Sequence, residues 1–359
     1  MENRFLLNSL KIIAVLLIIL LLSKISFVFN PLISVFNILV MPFMIAGFFY
    51  YILRPIVRYL VKRKMNKSLA ILLIYFVLTG VITVLAIGVW PKLLNQLQNL
   101  VNNLPTLVDQ FRNQIEGLQD NKLLSYFGTN ETELSTRLSG YLGNGITAVT
   151  NYLSRSLSVV TNFIFVMSTV PFILYYFLKE GDKLSTKIAH ITPRKYRKDS
   201  LEVLGEIDTA LSGYIVGRVI ITSLLALMMY IGFLLIHLPY ALLLAALSLF
   251  FNLIPYIGQF IGAVPCLIVG FIDSPTKALW VLIVILIAQQ IEGNLLAPNI
   301  YGRRLDIHPL TTIVLILSAG DVLGVIGILA AIPIYMTAKV IVVRIYRLFL
   351  SEKVEEFVD

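Results

Sequence analysis

Runs of about 20 apolar residues, the length an α-helix needs to cross a ~30 Å hydrocarbon core, recur along the chain and constrain its fold more than any other feature. They fall at 6–29, 32–54, 69–90, 146–178, 211–237, 240–272, 277–297 and 309–343. In lipid every backbone polar group must be satisfied within the protein, so such runs become helices. Only 14% of the 359 residues are charged against 58% hydrophobic, whereas a soluble domain is roughly a quarter charged. Too few charges remain to cover a water-facing surface. The expected fold class is all-α: a polytopic membrane protein with about six full spans, two broken re-entrant hairpins and a small amphipathic extracytoplasmic insert.

The charges lie between the runs. Arg54, Arg58, Lys62, Arg63, Lys64 and Lys67 follow the second run with no acid among them, and Lys179, Lys183, Lys187, Arg194, Lys195, Arg197 and Lys198 follow the fourth. Basic short loops stay in the cytoplasm, so the net charge of +9 reads as a topology signal rather than a nucleic-acid footprint. Both termini are then cytoplasmic and the protein sits in the cell membrane. The first run has the basic flank of a signal peptide, but Lys24 interrupts it and no small-x-small cleavage site follows, so it is read as an uncleaved span. The organisation expected is N-terminal membrane helices over 1–90, the insert over 91–145, a transport core over 146–350 and a cytoplasmic tail over 351–359.

This topology requires 240–272 to begin and end outside, and 309–343 to begin and end inside. Each has a break near the right place: Pro255-Tyr256-Ile257-Gly258 in one and Ala319-Gly320-Asp321 in the other. Proline removes a backbone donor and glycine tolerates turn geometry. Each stretch is therefore expected to be a re-entrant hairpin whose halves are too short to cross. Irregular backbone at membrane depth survives only against protein or a water-filled cavity, and interrupted short segments in paired positions point to a transporter's binding site. In the insert, Leu97, Val101, Leu104, Val108, Phe111, Ile115 and Leu118 form a heptad seam. Pro105 is expected to kink that helix, which packs on its own neighbour, lies on the bilayer or makes an intersubunit contact.

No Walker A loop, Gly-x-Ser-x-Gly or His-Glu-x-x-His is present. His190, His237 and His308 lie in separate loops, and Cys266 is the only cysteine. No enzyme activity, cofactor or metal site is expected.

The C-terminal half carries ordered motifs. Asn252-Leu253-Ile254-Pro255-Tyr256-Ile257-Gly258 precedes Ile261-Gly262-Ala263-Val264-Pro265, followed by Gln290-Ile291-Glu292-Gly293-Asn294-Leu295-Leu296-Ala297-Pro298, His308-Pro309, Gly320, Gly324, Gly327 and Ala331-Ile332-Pro333. Upstream stand Tyr51-Ile52-Leu53-Arg54-Pro55 and Phe172-Ile173-Leu174-Tyr175-Tyr176 with Lys179-Glu180-Gly181-Asp182. Together these resemble the autoinducer-2 exporter family, also called PerM-like permeases, over nearly the whole chain apart from 91–145 and the extreme C-terminus. The resemblance implies a secondary transporter or exporter, with members assigned autoinducer-2 export or sodium or lithium/proton antiport, and it implies pentamers. Two departures stand out: Gly217-Arg218 where many relatives have Gly-Gln, and Pro265-Cys266 where Pro-Ala is more usual.

Within this frame the candidate pathway residues are Asn252, Pro255, Tyr256, Gly258, Gly262 and Pro265 around the first break, then Gln289, Gln290, Glu292, Asn294, Asp321 and Arg218. An ionisable residue near the bilayer suggests a pathway or a pair. Glu292 is the first choice for a titrating carboxylate if transport is proton-coupled, or else an interfacial acid bonded to the hairpin or to Arg303. Arg218 either snorkels to the interface or pairs with Glu292, Glu206 or Asp208. Asp321 either binds a cation at the second tip or caps the following helix. Asn252 and Tyr256 can hydrogen-bond a polar ligand such as a hydroxylated furanone, or satisfy the broken backbone. Gly320, Gly324, Gly327 and Pro333 serve packing or hinging. Glu180, Asp182 and the basic 183–198 stretch read as a solvated loop near anionic lipid.

Overall fold

The computed structural model describes residues 10, 13, 14, 17, 26–119, 160–301 and 307–349. Among them every regular element is helical, as isolated apolar backbone in lipid demands. Five helical stretches are long and apolar enough to cross a membrane: Ile38–Lys62, Lys67–Leu100, Arg194–Leu235, Pro275–Tyr301 and Pro309–Tyr346.

Helix α1 spans Ser26–Lys62 and runs without a turn through Asn30 and Pro31, so the expected division between 6–29 and 32–54 is not found there. A proline is tolerated in such a helix because neighbouring groups re-satisfy the backbone and no aqueous alternative competes. Asn66 caps α2 (Lys67–Gly88) by accepting from the Ser68 N–H at 3.1 Å. After Val89 alone the chain enters α3 (Trp90–Gln119), which continues through position 105. The insert is thus an extension of the preceding span. Its remaining residues 120–145, the tail 351–359 and Arg303 and Arg304 lie outside the described residues.

Helix α4 (Val160–Glu180) leads through one tight turn, Gly181–Lys183, into α5 (Leu184–Ile191) and α6 (Arg197–Leu235). The basic stretch read as a solvated loop is therefore mostly helical. Arg197 donates to the carbonyls of Ala189 and His190 at the end of α5. Asp182 collects Arg58 at 3.0 Å, Lys67 at 2.8 Å and Arg54 at 3.4 Å, while Arg54 also holds Asp208 at 2.5 Å. These pairs tie α1, α2 and α6 to the turn after α4.

The first expected hairpin is present: α7 (Ala241–Phe251, 11 residues) and α8 (Ile257–Asp273, 17 residues) flank the break at 252–256. Ser274 caps α9 (Pro275–Ile291), which passes through a wide π-type turn at Glu292–Leu296 into α10 (Ala297–Tyr301). The second hairpin is formed within α11 (Pro309–Phe349), but its break lies at Gly324 (φ 62, ψ −145) rather than at 319–321. A Cβ on Gly327 would come within 2.0 Å of the Ala319 carbonyl oxygen. Eight residues along a straight helix lie about 12 Å apart, so the chain has folded back. Gly324 takes the turn because its positive φ is one that residues with a Cβ rarely adopt. The arm 309–323 is about 22 Å long, short of the hydrocarbon thickness.

Two apolar cores divide the chain. Ala46, Leu53, Val57, Ile71 and Leu174 pack among α1, α2 and α4; Leu225, Phe233, Leu244, Cys266 and Val281 pack among α6, α7, α8 and α9. Tyr214, Ile215, Ile332 and Met336 join α6 to α11, with Phe48, Tyr51 and Ile52 of α1 packed against them. Helix α3 lies on the first hairpin. Its Gln96 Oε1 accepts from the Leu243 N–H at 2.9 Å, its Asn103 donates to the Tyr240 hydroxyl at 3.2 Å, and Leu100 packs on the hairpin core.

Candidate functional site

A cavity of about 530 Å³ opens where α6, the first hairpin's tip, the α9–α10 junction and the start of α11 converge. Tyr214 and Arg218 come from α6; Asn252, Pro255, Tyr256 and Gln259 come from the tip. Gln289, Glu292 and Gly293 come from the end of α9 and the π turn, Ala297, Pro298 and Tyr301 from α10. Ile307, Thr312 and Ile332 complete the wall.

The tip is shaped by its own backbone. The Ile257 N–H reaches the Pro255 carbonyl at 2.7 Å across Tyr256, whose φ of 62 and ψ of −57 make a rare three-residue turn. A side-chain-bearing residue held there costs on the order of 1–3 kcal/mol. Gly258 permits the closure: a Cβ would lie 1.7 Å from the Phe251 carbonyl oxygen. Asn252 is buried, and its amide donates to the Ser248 carbonyl at 2.8 Å, so that side chain supports the broken helix end. Its own carbonyl accepts from Arg218 Nη2.

Arg218 also faces Glu292, with Nη1 and Oε1 3.4 Å apart. Their side chains are only 12% and 16% exposed. The Tyr301 hydroxyl sits beside the same guanidinium, yet neither it nor Arg218 Nε makes a well-formed hydrogen bond among the described residues. Tyr301 stacks on Tyr214 with ring centroids 6.3 Å apart, and Gly217 makes room for it, since a Cβ there would lie 2.7 Å from the Tyr301 ring. The π turn arises where the Ala297 N–H bonds back to the Glu292 carbonyl and Pro298 has no N–H to offer. Such turns recur at functional sites. Among the described residues no three His, Cys, Asp or Glu side chains come together to hold a metal.

Of the residues singled out from sequence, Arg218, Asn252, Pro255, Tyr256, Gln289 and Glu292 meet at this cavity. Glu292 is the partner of Arg218, while Asp208 is taken by Arg54. The others lie elsewhere. Asn294 donates to Gln290 at 2.6 Å on an exposed face. Gly262 packs near Ser248, and Pro265 lies inside α8. Asp321 is exposed in the last turn before Gly324 rather than at the reversal itself. Gly320 packs beside Ile328, and Pro333 lies in the second arm, where its carbonyl accepts from Thr337.

Tyr214, Gln259, Tyr301 and Thr312 were not identified from sequence as lining groups. Tyr214 could have been found as the polar aromatic one helical turn before Arg218. Tyr301 follows a turn whose extra width no periodicity reveals.

The family model described as "AI-2E family transporter" matches residues 13–347. Among curated proteins, "Putative transport protein YueF" of Bacillus subtilis is 38% identical over 344 residues, covering 95% of this chain and 93% of that protein. "Putative transport protein YrrI" of the same organism is 28% identical, covering 94% and 96%. "Putative transport protein MJ1177" of Methanocaldococcus jannaschii is 25% identical, covering 78% and 82%.

Proposed function

We infer, for a chain that belongs to the AI-2E transporter family, that it carries a small polar solute across the membrane through the cavity between α6 and the first hairpin. One observation carries the reading: Arg218 and Glu292, two nearly buried opposite charges, stand on the wall of a cavity of about 530 Å³ beside a broken helix tip. Charges at such a depth are costly and are kept where they serve a pathway or a pair. Movement of α7 and α8 would break the Arg218–Asn252 contact and change which side the cavity faces. A hydroxylated furanone of the autoinducer-2 type is the specific solute the resemblance brings, with export as its direction.

The test is flux through purified protein in liposomes. Solute counterflow that falls to background in Arg218→Gln supports the reading; no flux of any polar solute from a broad panel sinks it and leaves a membrane scaffold. Among the described residues Glu292 has one cationic partner, which also favours a second reading, sodium or lithium/proton antiport. A pH dye inside the liposomes that answers added Na⁺ or Li⁺, and ceases to do so in Glu292→Gln, would establish that reading instead.

The turn bearing Arg63 and the start of α6 at Arg197 are assigned to the cytoplasmic side of the cell membrane, and the chain to a homo-oligomer, a pentamer by resemblance. Labelling of single cysteines introduced at 63 and 197 in a Cys266→Ala background tests the first, and native mass spectrometry the second.

A further inference from the structure

We propose that α5 is an interfacial helix, whose bare aliphatic stripe of Leu184, Ile188 and Ile191 and flanking cations dock on anionic lipid headgroups of the bilayer that holds the protein. The proposal holds whatever solute the cavity takes.

One face of α5 is covered. Ala189 is buried, Arg197 of α6 donates to the carbonyls of Ala189 and His190, and the Thr192 hydroxyl meets Ser200 of α6 at 3.3 Å. The opposite face is open: Leu184 is 54% exposed, Ile188 39% and Ile191 87%. Their spacing of four and then three residues lays them in one stripe. A single bare aliphatic side chain would mean little, whereas an apolar stripe rimmed by charge marks a docking surface.

The rim is of one sign. Between positions 183 and 198 stand six lysines and arginines and no acid. Arg197 is spent on the two carbonyls, and Lys187 faces Glu180 in an exposed pair at 3.4 Å. Lys183, Arg194, Lys195 and Lys198 are exposed and make no ion pair among the described residues. A helix with aliphatic residues on one side and cations beside them suits a membrane surface. The aliphatics enter the acyl boundary while the long cationic side chains reach the headgroup phosphates.

The position of the stripe selects a bilayer over a soluble acidic partner. Asp182, two residues before Leu184, binds Lys67 at 2.8 Å and Arg58 at 3.0 Å. Lys67 opens one membrane-crossing stretch, and Arg58 lies one turn from the end of another. The stripe therefore begins where two spans leave the hydrocarbon. Exposed Lys62 and Lys64, in and beside the turn between those spans, add to the positive charge of the same end of the molecule.

The experiment places the full chain, carrying Cys266→Ala, in nanodiscs of phosphatidylcholine with increasing amounts of phosphatidylglycerol. An environment-sensitive fluorophore is attached through Ile191→Cys, and lipids brominated on their acyl chains quench it on contact. Quenching and a blue shift should both grow with phosphatidylglycerol. Lys183→Gln, Arg194→Gln, Lys195→Gln and Lys198→Gln together should raise the content needed for half-maximal quenching at least about fivefold, what one cation near an anionic surface contributes. Leu184→Ser with Ile188→Ser should abolish the quenching and leave melting in detergent unchanged. A merely structural stripe would instead lower melting and keep the quenching.

That last result overturns the proposal, as does a fluorophore left unquenched in every disc or quenched equally with and without phosphatidylglycerol. A blue shift produced by inorganic phosphate or RNA in phosphatidylcholine discs overturns it in favour of a site for soluble anions. Shielding that needs no anionic lipid and is lost when the purified protein is diluted to monomers overturns it in favour of a contact between copies of the chain.

Discussion

Two regions of this protein set arginine against carboxylate, and they differ in how completely the charges are met. Around the turn after α4, Asp182 gathers Arg54, Arg58 and Lys67, and Arg54 has Asp208 as a second anion. Burial would push the Asp182 carboxyl up, but hydrogen bonds from Lys67 and Arg58, with the charges of the same residues, hold it down at about 2. At the cavity, among the described residues, Glu292 has Arg218 alone, at 3.4 Å. A cluster that saturates its anion fastens helices together. A single pair at 3.4 Å beside open volume holds its helices by far fewer bonds.

The sharpest way to break the comparison is Arg218→Met. It strands a nearly buried carboxylate, so stability should fall by about 3–5 kcal/mol and flux should vanish. Chemical denaturation monitored by intrinsic fluorescence, alongside the flux assay, measures both. Gly258→Ala comes next, because its Cβ would strike the Phe251 carbonyl at 1.7 Å; a loss of about 3 kcal/mol is expected as the tip reopens, and the same denaturation measurement reads it. Asp182→Asn should cost about 1 kcal/mol, since the site is 43% exposed and solvent screens it.

The pH dependence has a definite sign. The folded Asp182 carboxyl ionises below its ordinary 3.8, so its contribution is complete above about pH 4 and fades as the pH falls through about 2. An acid series of melting curves should show that loss, and Asp182→Asn should flatten it. Least of all, Lys187→Ala should leave melting unchanged, because its pair with Glu180 is 65% and 48% exposed.

The helices and both broken stretches were legible because apolar length and proline or glycine punctuation are local properties. The Gly324 reversal was misplaced by a few residues for an equally local reason. Three glycines, Gly320, Gly324 and Gly327, share the segment, and only the packed arms decide which one takes the positive φ while the others admit Ile328 and the Ala319 carbonyl. Arg218 and Glu292 were identifiable because an ionisable residue in an apolar run is conspicuous by itself. Tyr301 was not, since it reaches Arg218 only after the π turn adds to the helical rotation. The ion pairs of Asp182 were not legible because its three cations come from residues more than a hundred positions earlier in the chain.

The contact of Gln96 with the Leu243 N–H bears on the order of assembly. The first amides of a helix have no partner within it, and α7 begins at Ala241 without a side-chain cap of its own. Its missing acceptor is supplied from α3, which leaves the ribosome long before the hairpin does. The growing chain thus presents a finished docking edge to a segment that cannot complete its own first turn, and synthesis from the N-terminus delivers the two in the workable sequence.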